Sequence, residues 1–263
     1  MKLFSKIAIA AIAASSILSA AEVLDLTAQG FWQNSRNITY GEKEMTPAGK
    51  LLFTSKKLLT IDPTKKYTMK MDVATGKGDK THFFLFGLIP AEANGKQYES
   101  LCIQTVSDTF TQLAKDVKKG DKTIVVKNAS KWKTLKHLVI AYNAKEDFSD
   151  LPNRQIIRSY VESVKQEGDN WIITLNKPVN VDLTAGTNVR QHAAGGYFYF
   201  QALFMSPEKN ATLSKTITGK AVQGSFTSTA FPPAMTHAYI VILANWNNSN
   251  IPVTIKNATL TIE

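Results

Sequence analysis

The 263-residue chain contains a single cysteine, Cys102. No disulfide can close within it, so the small stapled folds of exported proteins are excluded. Its setting in the alternating stretch ESLCIQTV reads as that of a buried structural thiol. Histidine is sparse as well. His82, His137, His192 and His237 lie far apart, and no pair has the spacing of metal ligands. H-E-x-x-H and G-x-S-x-G are absent, and TGKGDKT around Gly76 misses the spacing of a phosphate loop. Acidic residues number 21 against 31 lysines and arginines. They gather in turns, at Glu42 and Glu44, at Glu146, Asp147 and Asp150, and at Glu167 and Asp169. A glycosidase needs two carboxylates flanking the scissile bond, one of them in an apolar setting, so glycoside hydrolysis is disfavoured. Beyond the N-terminus no run is apolar enough to span a bilayer, and no segment holds a helical period.

What is present begins with MKLFSKIAIAAIAASSILSAAEV. Lys2 and Lys6 precede an apolar run from Ile7 to Leu18, followed by the small residues Ser19, Ala20 and Ala21. That order is expected of a signal peptide over residues 1–21, which places the remaining chain, 22–263, in the periplasm, at the cell surface or outside the cell. The formal net charge of +10 comes mostly from scattered lysines, as in TKKYTMK, KDVKKGDK and KWKTLK. Such scatter suits a solvated surface or an attraction to a polyanion. No helix-turn-helix, zinc or RNA-reading signature points to nucleic acid, which leaves an acidic glycan as the better-suited polyanion.

Period-two alternation dominates. In KYTMKMDV, Tyr67, Met69, Met71 and Val73 fall on one side and Lys66, Thr68, Lys70 and Asp72 on the other. Comparable runs occur at HFFLFGLIP, YESLCIQTV, KTIVVK, HLVIAYN, NWIITLN, GYFYFQALF, AYIVILANW and PVTIKNATLTI, separated by turn clusters such as ATGKGDK and QEGDN. The expectation is an all-β chain, an antiparallel β-sandwich forming a single domain over 22–263. The shorter, more polar runs predict a hairpin-rich β insertion at about 113–178.

GFWQNSRNITYG, then LLTIDPTKKYTMKMDV, and finally AYIVILANWNNSNIPVTIKNATLTIE resemble, in their order, the jelly-roll carbohydrate-binding modules of secreted bacterial glycanases. The resemblance covers the first and last thirds of the chain after the leader. It implies a jelly-roll sandwich that binds a polysaccharide or glycan through exposed aromatics without catalysis. Those modules often place an aspartate near the start of the last strand to help hold a structural calcium. Here Lys256 and Asn257 stand at those positions and argue against it. The loop NAKEDFSDLPN could offer Asn143, Glu146, Asp147, Asp150 and Asn153 as oxygen ligands, but reads better as a turn with side-chain caps. No cofactor is therefore expected.

The densest concentration of chemistry lies in GTNVRQHAAGGYFYFQALF, residues 186–204. Alternation puts Tyr197, Tyr199 and Gln201 on one face and Phe198, Phe200, Ala202 and Phe204 on the other, the latter expected in the core. Gly195 and Gly196 would turn the chain into the strand and leave Arg190 and His192 at its rim. Three readings stay open. Tyr197, Tyr199 and Gln201 could stack and hydrogen-bond a sugar, with Arg190 and His192 beside them. A polysaccharide lyase could use Arg190 to neutralise a uronate and His192 or a tyrosine to move the proton. Or the tyrosines pack internally and Arg190 makes a structural salt bridge. Trp32 with Arg36 and Tyr40, and Trp246, are candidates for a second platform; the competing reading makes each tryptophan a core plug or a loop anchor. Trp171 reads as core, whereas Trp132 among lysines is open. A structural envelope or protein-interaction role is the remaining class, and the oligomeric state is not legible.

Overall fold

The computed structural model describes residues 21–33, 35–194, 201–220, 230–247 and 250–263. The first strands are β1 (Glu22–Asp25), β2 (Ile38–Gly41), β3 (Glu44–Pro47), β4 (Leu51–Thr54), β5 (Leu59–Thr60), β6 (Lys66–Thr75) and β7 (His82–Ala91). The middle of the chain forms β8 (Thr111–Gln112), β9 (Thr123–Val126), β10 (Leu138–Tyr142), β11 (Ile156–Ile157), β12 (Val161–Glu167), β13 (Asn170–Leu175) and β14 (Asn188–Ala193). The last strands are β15 (Gln201–Met205), β16 (Asn210–Thr218), β17 (His237–Ala244) and β18 (Val253–Ile262). Among the described residues the helical segments are single 3-10 turns at Ser35–Asn37 and Ser100–Cys102. The protein is all-β and its strand pairs are antiparallel, as the alternation predicts.

The terminal parts build a sandwich. One sheet runs β16-β6-β18-β3-β2 with β1 added to β18; the other runs β15-β7-β17-β4 with β5 added to β17. The inward residues of β6 are Tyr67, Met69, Met71 and Val73, as the alternation requires, and they pack with Phe84, Phe86, Ile240 and Ile242 of the second sheet. β7 and β17 are apolar on both faces, because Leu85, Ile89, Val241 and Leu243 form another buried layer on the opposite side of their sheet. That double burial is why HFFLFGLIP and AYIVILA read as nearly continuous apolar runs.

The middle of the chain builds a second core. A four-stranded sheet, β11-β10-β14-β8, meets a three-stranded sheet, β12-β13-β9, through the bridge between Leu113 and Val126. Between them lie Ile124, Val126, Trp132, Ile140, Ile173, Leu175 and Val189. The four-stranded sheet serves both cores. Ile140, Ile157 and Val189 face the second core, whereas Val139, Ala141 and Ile156 belong to the first. The elaboration therefore runs on past Pro178, its expected end, through β14 to Ala193, because β14 pairs with β10 from Val189 to Ala193.

Two local expectations change. YESLCIQTV forms no strand. Leu101 to Thr105 are all buried, which a strand with one wet face cannot achieve, and the segment packs between the sandwich and the four-stranded sheet. Burial there pushes the Cys102 thiol up. The second change is the phase of GYFYFQALF. Leu203 pairs with Phe84 and turns inward with Met205, while Phe204 pairs with Phe83, stacks on it at 4.4 Å and is 68% exposed. Phe204 is thus an outer residue, and the face that carries Gln201 is the inner one. Tyr197 and Tyr199 lie outside the described residues.

Candidate functional site

Arg190 and His192 occupy the middle of β14, opposite Ala141 and Val139 of β10. Their side chains therefore point toward the first core, and both are fully buried. Arg190 donates from Nη2 to Asp150 Oδ2 at 2.8 Å, from Nη1 to the Lys145 carbonyl at 3.0 Å and from Nε to His192 Nε2 at 3.1 Å. Its guanidinium lies 4.6 Å over the Phe148 ring. Since Nε2 of His192 accepts, Nδ1 carries the proton and donates to the Leu101 carbonyl at 2.7 Å. Burial, reinforced by the Arg190 charge, pushes the His192 pKa down to about 4. This is a closed network locking the 143–153 loop and the 101–103 segment onto β14. The expected rim position of Arg190 and His192 is corrected: β14 is paired on both edges and covered on both faces, so both side chains lie in the interior.

Directly outside that network an open groove of about 530 Å³ follows the seam between the two cores. Glu92 and Tyr98 come from the segment leaving β7; Asn143, Lys145, Asn153, Arg154 and Gln155 come from the loop after β10. Arg154 ties the walls together. Its Nε donates to Glu92 Oε1 at 2.5 Å, its Nη2 to the carbonyls of Lys96 and Gln97, and its guanidinium covers the Tyr98 ring at 4.1 Å. The Arg154 hydrogen bond holds the Glu92 carboxyl below its usual range, and Arg158 does the same to Glu99 nearby. The loop is shaped from within. Asp147 Oδ1 accepts from the Ser149 amide and hydroxyl, and Asp150 accepts from the Lys145 amide and from Asn153 Nδ2. Asp147 and Asp150 are thereby engaged in turn caps and the Arg190 pair, and no group of three His, Cys, Asp or Glu gathers around a metal-sized space among the described residues.

The other proposed contacts scatter. Trp32 is fully buried, donates from Nε1 to the Leu26 carbonyl at 2.9 Å and meets Phe31 and Phe53 edge-on, so it is a core plug and not a platform. Arg36 is exposed in its 3-10 turn. Trp246, at the end of β17, is 38% exposed with Lys50 Nζ 4.2 Å over its ring. Gln201 is half-buried on the inner face of β15. Trp132 is buried with its Nε1 on the Thr109 carbonyl, and Trp171 is half-buried against the second core.

Sequence reasoning missed the seam groove, since its residues come from Glu92 to Tyr98 and from Asn143 to Gln155, segments without a shared motif. The one signal is the polar density of NAKEDFSDLPN, whose reading as a capped turn says nothing of the groove beside it. A second cleft, of about 480 Å³, lies at the other end of β10 and is lined by Thr105–Asp108, Lys131, Lys133, Leu135 and His137. Its signal was the lysine density of SKWKTLKH. Compared with known protein families, curated proteins and solved structures, the chain matches none of them.

Proposed function

We propose that the chain is an exported, non-catalytic glycan-binding protein and that the seam groove holds a polysaccharide segment. The observation that carries this reading is the groove's lining. Amides at Asn143 and Gln155, the Lys145 ammonium and the Glu92 carboxylate line an open trough, with the Arg154–Tyr98 pair as its wall. A ligand matched to that surface presents many hydroxyls in an extended chain, and open troughs at the junction of two packed units are common binding sites. The leader-like residues 1–21 and the resemblance of the terminal thirds to jelly-roll carbohydrate-binding modules support the same reading. The deep burial of His192 and Arg190 weighs against their use in eliminative cleavage.

The test is binding of the purified chain to a panel of neutral and acidic polysaccharides, followed by titration of each hit. Replacing Lys145 and Gln155 together by alanine is expected to weaken a hit roughly tenfold, the loss of two hydrogen-bonding groups. Binding to no glycan, or unchanged affinity in that variant, would remove the groove reading. New absorbance from unsaturated sugar ends during incubation would replace it with a lyase.

A second reading has its own observation. Phe204 is 68% exposed and stacked on Phe83 on β15, an edge strand among the described residues. An exposed aromatic backed by the half-buried Phe83 of β7, on a strand edge unpaired among the described residues, suits a protein partner in the cell envelope. Concentration-dependent self-association that disappears in Phe204→Ser would favour it.

A further inference from the structure

The second cleft is constructed as firmly as the seam groove, and by one residue. Gln191 alternates with Arg190 and His192 on β14 and points the opposite way, fully buried. Its Oε1 accepts from the Lys133 amide at 2.9 Å and its Nε2 donates to the Lys133 carbonyl at 2.8 Å, which clamps one wall of the cleft. Its own amide donates to Thr109 Oγ1, which in turn donates to the Val106 carbonyl at 2.6 Å, which fixes the other wall. Trp132 is driven into the second core between Lys131 and Lys133, and its Nε1 is held by the Thr109 carbonyl at 2.9 Å. The stretch SKWKTLKH is therefore a rigid mount and not a loose basic loop.

What the mount presents is charge without a partner. Lys131, Lys133 and Lys136 are exposed, and none has a carboxylate within ion-pair distance among the described residues. The acid on the opposite rim is Asp108, exposed and beyond ion-pair reach of these lysines. Between the lysines and His137, Leu135 stands 47% exposed inside the cleft. Cations carried on a held backbone beside an apolar surface fit a ligand with a carboxylate or sulfate on a ring that also offers a C–H face.

We propose that this cleft is the subsite for the acidic groups of a uronate-rich or sulfated glycan, with Lys131 and Lys133 pairing its anionic groups and Leu135 covering its apolar face. The assignment rests on the glycan-binding reading and adds to it the class of sugar. Gln191 is the positioning residue, because it holds both walls and touches no ligand.

The experiment titrates the chain with three probes of equal length: a polyuronate oligosaccharide, its sulfated counterpart and a neutral oligosaccharide. Replacing Lys131 and Lys133 together by alanine leaves Trp132 and Gln191 in place; it is expected to weaken the acidic probes roughly tenfold, as the loss of two exposed ion pairs should, and to leave the neutral probe unchanged. The control, Lys118→Ala with Lys119→Ala, removes the same charge elsewhere and is expected to change acidic binding by less than about twofold. Equal losses in both double variants would reduce the cleft to general electrostatic attraction and overturn the assignment. So would acidic binding that the Lys131 and Lys133 changes leave intact, or equally tight binding of duplex DNA or of anionic lipid vesicles. Failure of all three oligosaccharides to bind is a different outcome, and it overturns the glycan reading itself.

Discussion

Among the side chains, the buried pair Arg190 and Asp150, 2.8 Å apart, ties the 143–153 loop to β14. Arg190, His192 and Gln191 are the residue types of a binding site, yet here they do interior work: two lock a seam and one builds a cleft from beneath. A buried cation without its anion is costly, so Asp150→Ala is expected to destabilise the protein by about 3–5 kcal/mol; urea midpoints would measure it, and a change below about 1 kcal/mol would mean that water reaches Arg190. His192 makes the pH dependence predictable in sign. Its folded pKa of about 4 lies below its ordinary value of 6.5, so the unfolded chain binds more protons between those limits. Stability is then complete above about pH 6.5 and falls as pH drops toward 4, by about 3 kcal/mol from this residue. His82 is buried too, hydrogen-bonded to Asn245 at 2.7 Å, and burial pushes its pKa in the same direction. Ring-carbon NMR shifts of His192 that titrate near pH 6.5 would contradict the closed network.

Strands carry a different lesson. β15 and β16 each pair with one described neighbour, so both present edges. β16 is nine residues long, a length that invites pairing with a second chain. Lys215 answers that hazard. It sits on the inward-facing series of β16 with Leu213 and Ile217, half-buried, and burial lowers its pKa. An inward lysine on an edge strand must stay near water, which another strand would deny it. Lys215→Val is accordingly expected to leave the fold intact and raise self-association, visible by sedimentation velocity; a strictly monomeric variant at high concentration would show that the edge is guarded by other means. On β15, Phe204→Ser is expected to cost less than about 1 kcal/mol in urea unfolding, as substitutions of exposed residues do. A larger loss would show that Phe83 depends on the stack.

At the scale of the molecule, two cores share one sheet. β10 is apolar on both faces because Ile140 belongs to one core while Val139 and Ala141 belong to the other. Neither unit can leave without exposing that sheet and stranding Arg190. Thermal unfolding is thus expected as a single transition, with the far-ultraviolet signal and tryptophan fluorescence coinciding. A fragment spanning residues 105–193 is expected to stay unfolded by itself. Two separated transitions, or a fragment with dispersed amide signals, would instead make the middle of the chain an independent domain.

The strands were legible because alternation is a relation between neighbours in the chain, set by the pleat and independent of what lies across the core. The all-β class, the inward series of β6 and most strand positions followed from it. Which of two alternating faces is the inner one depends on the sheet that covers it, and so Phe204 was expected inside and is found outside. Burial on all sides was equally hidden: Leu101 to Thr105 read as a strand, and Arg190 with His192 as a rim, because the layers that enclose them come from distant parts of the chain. Both clefts share that origin. Their walls join segments dozens of residues apart, brought together only when the β10–β14 sheet docks between two cores.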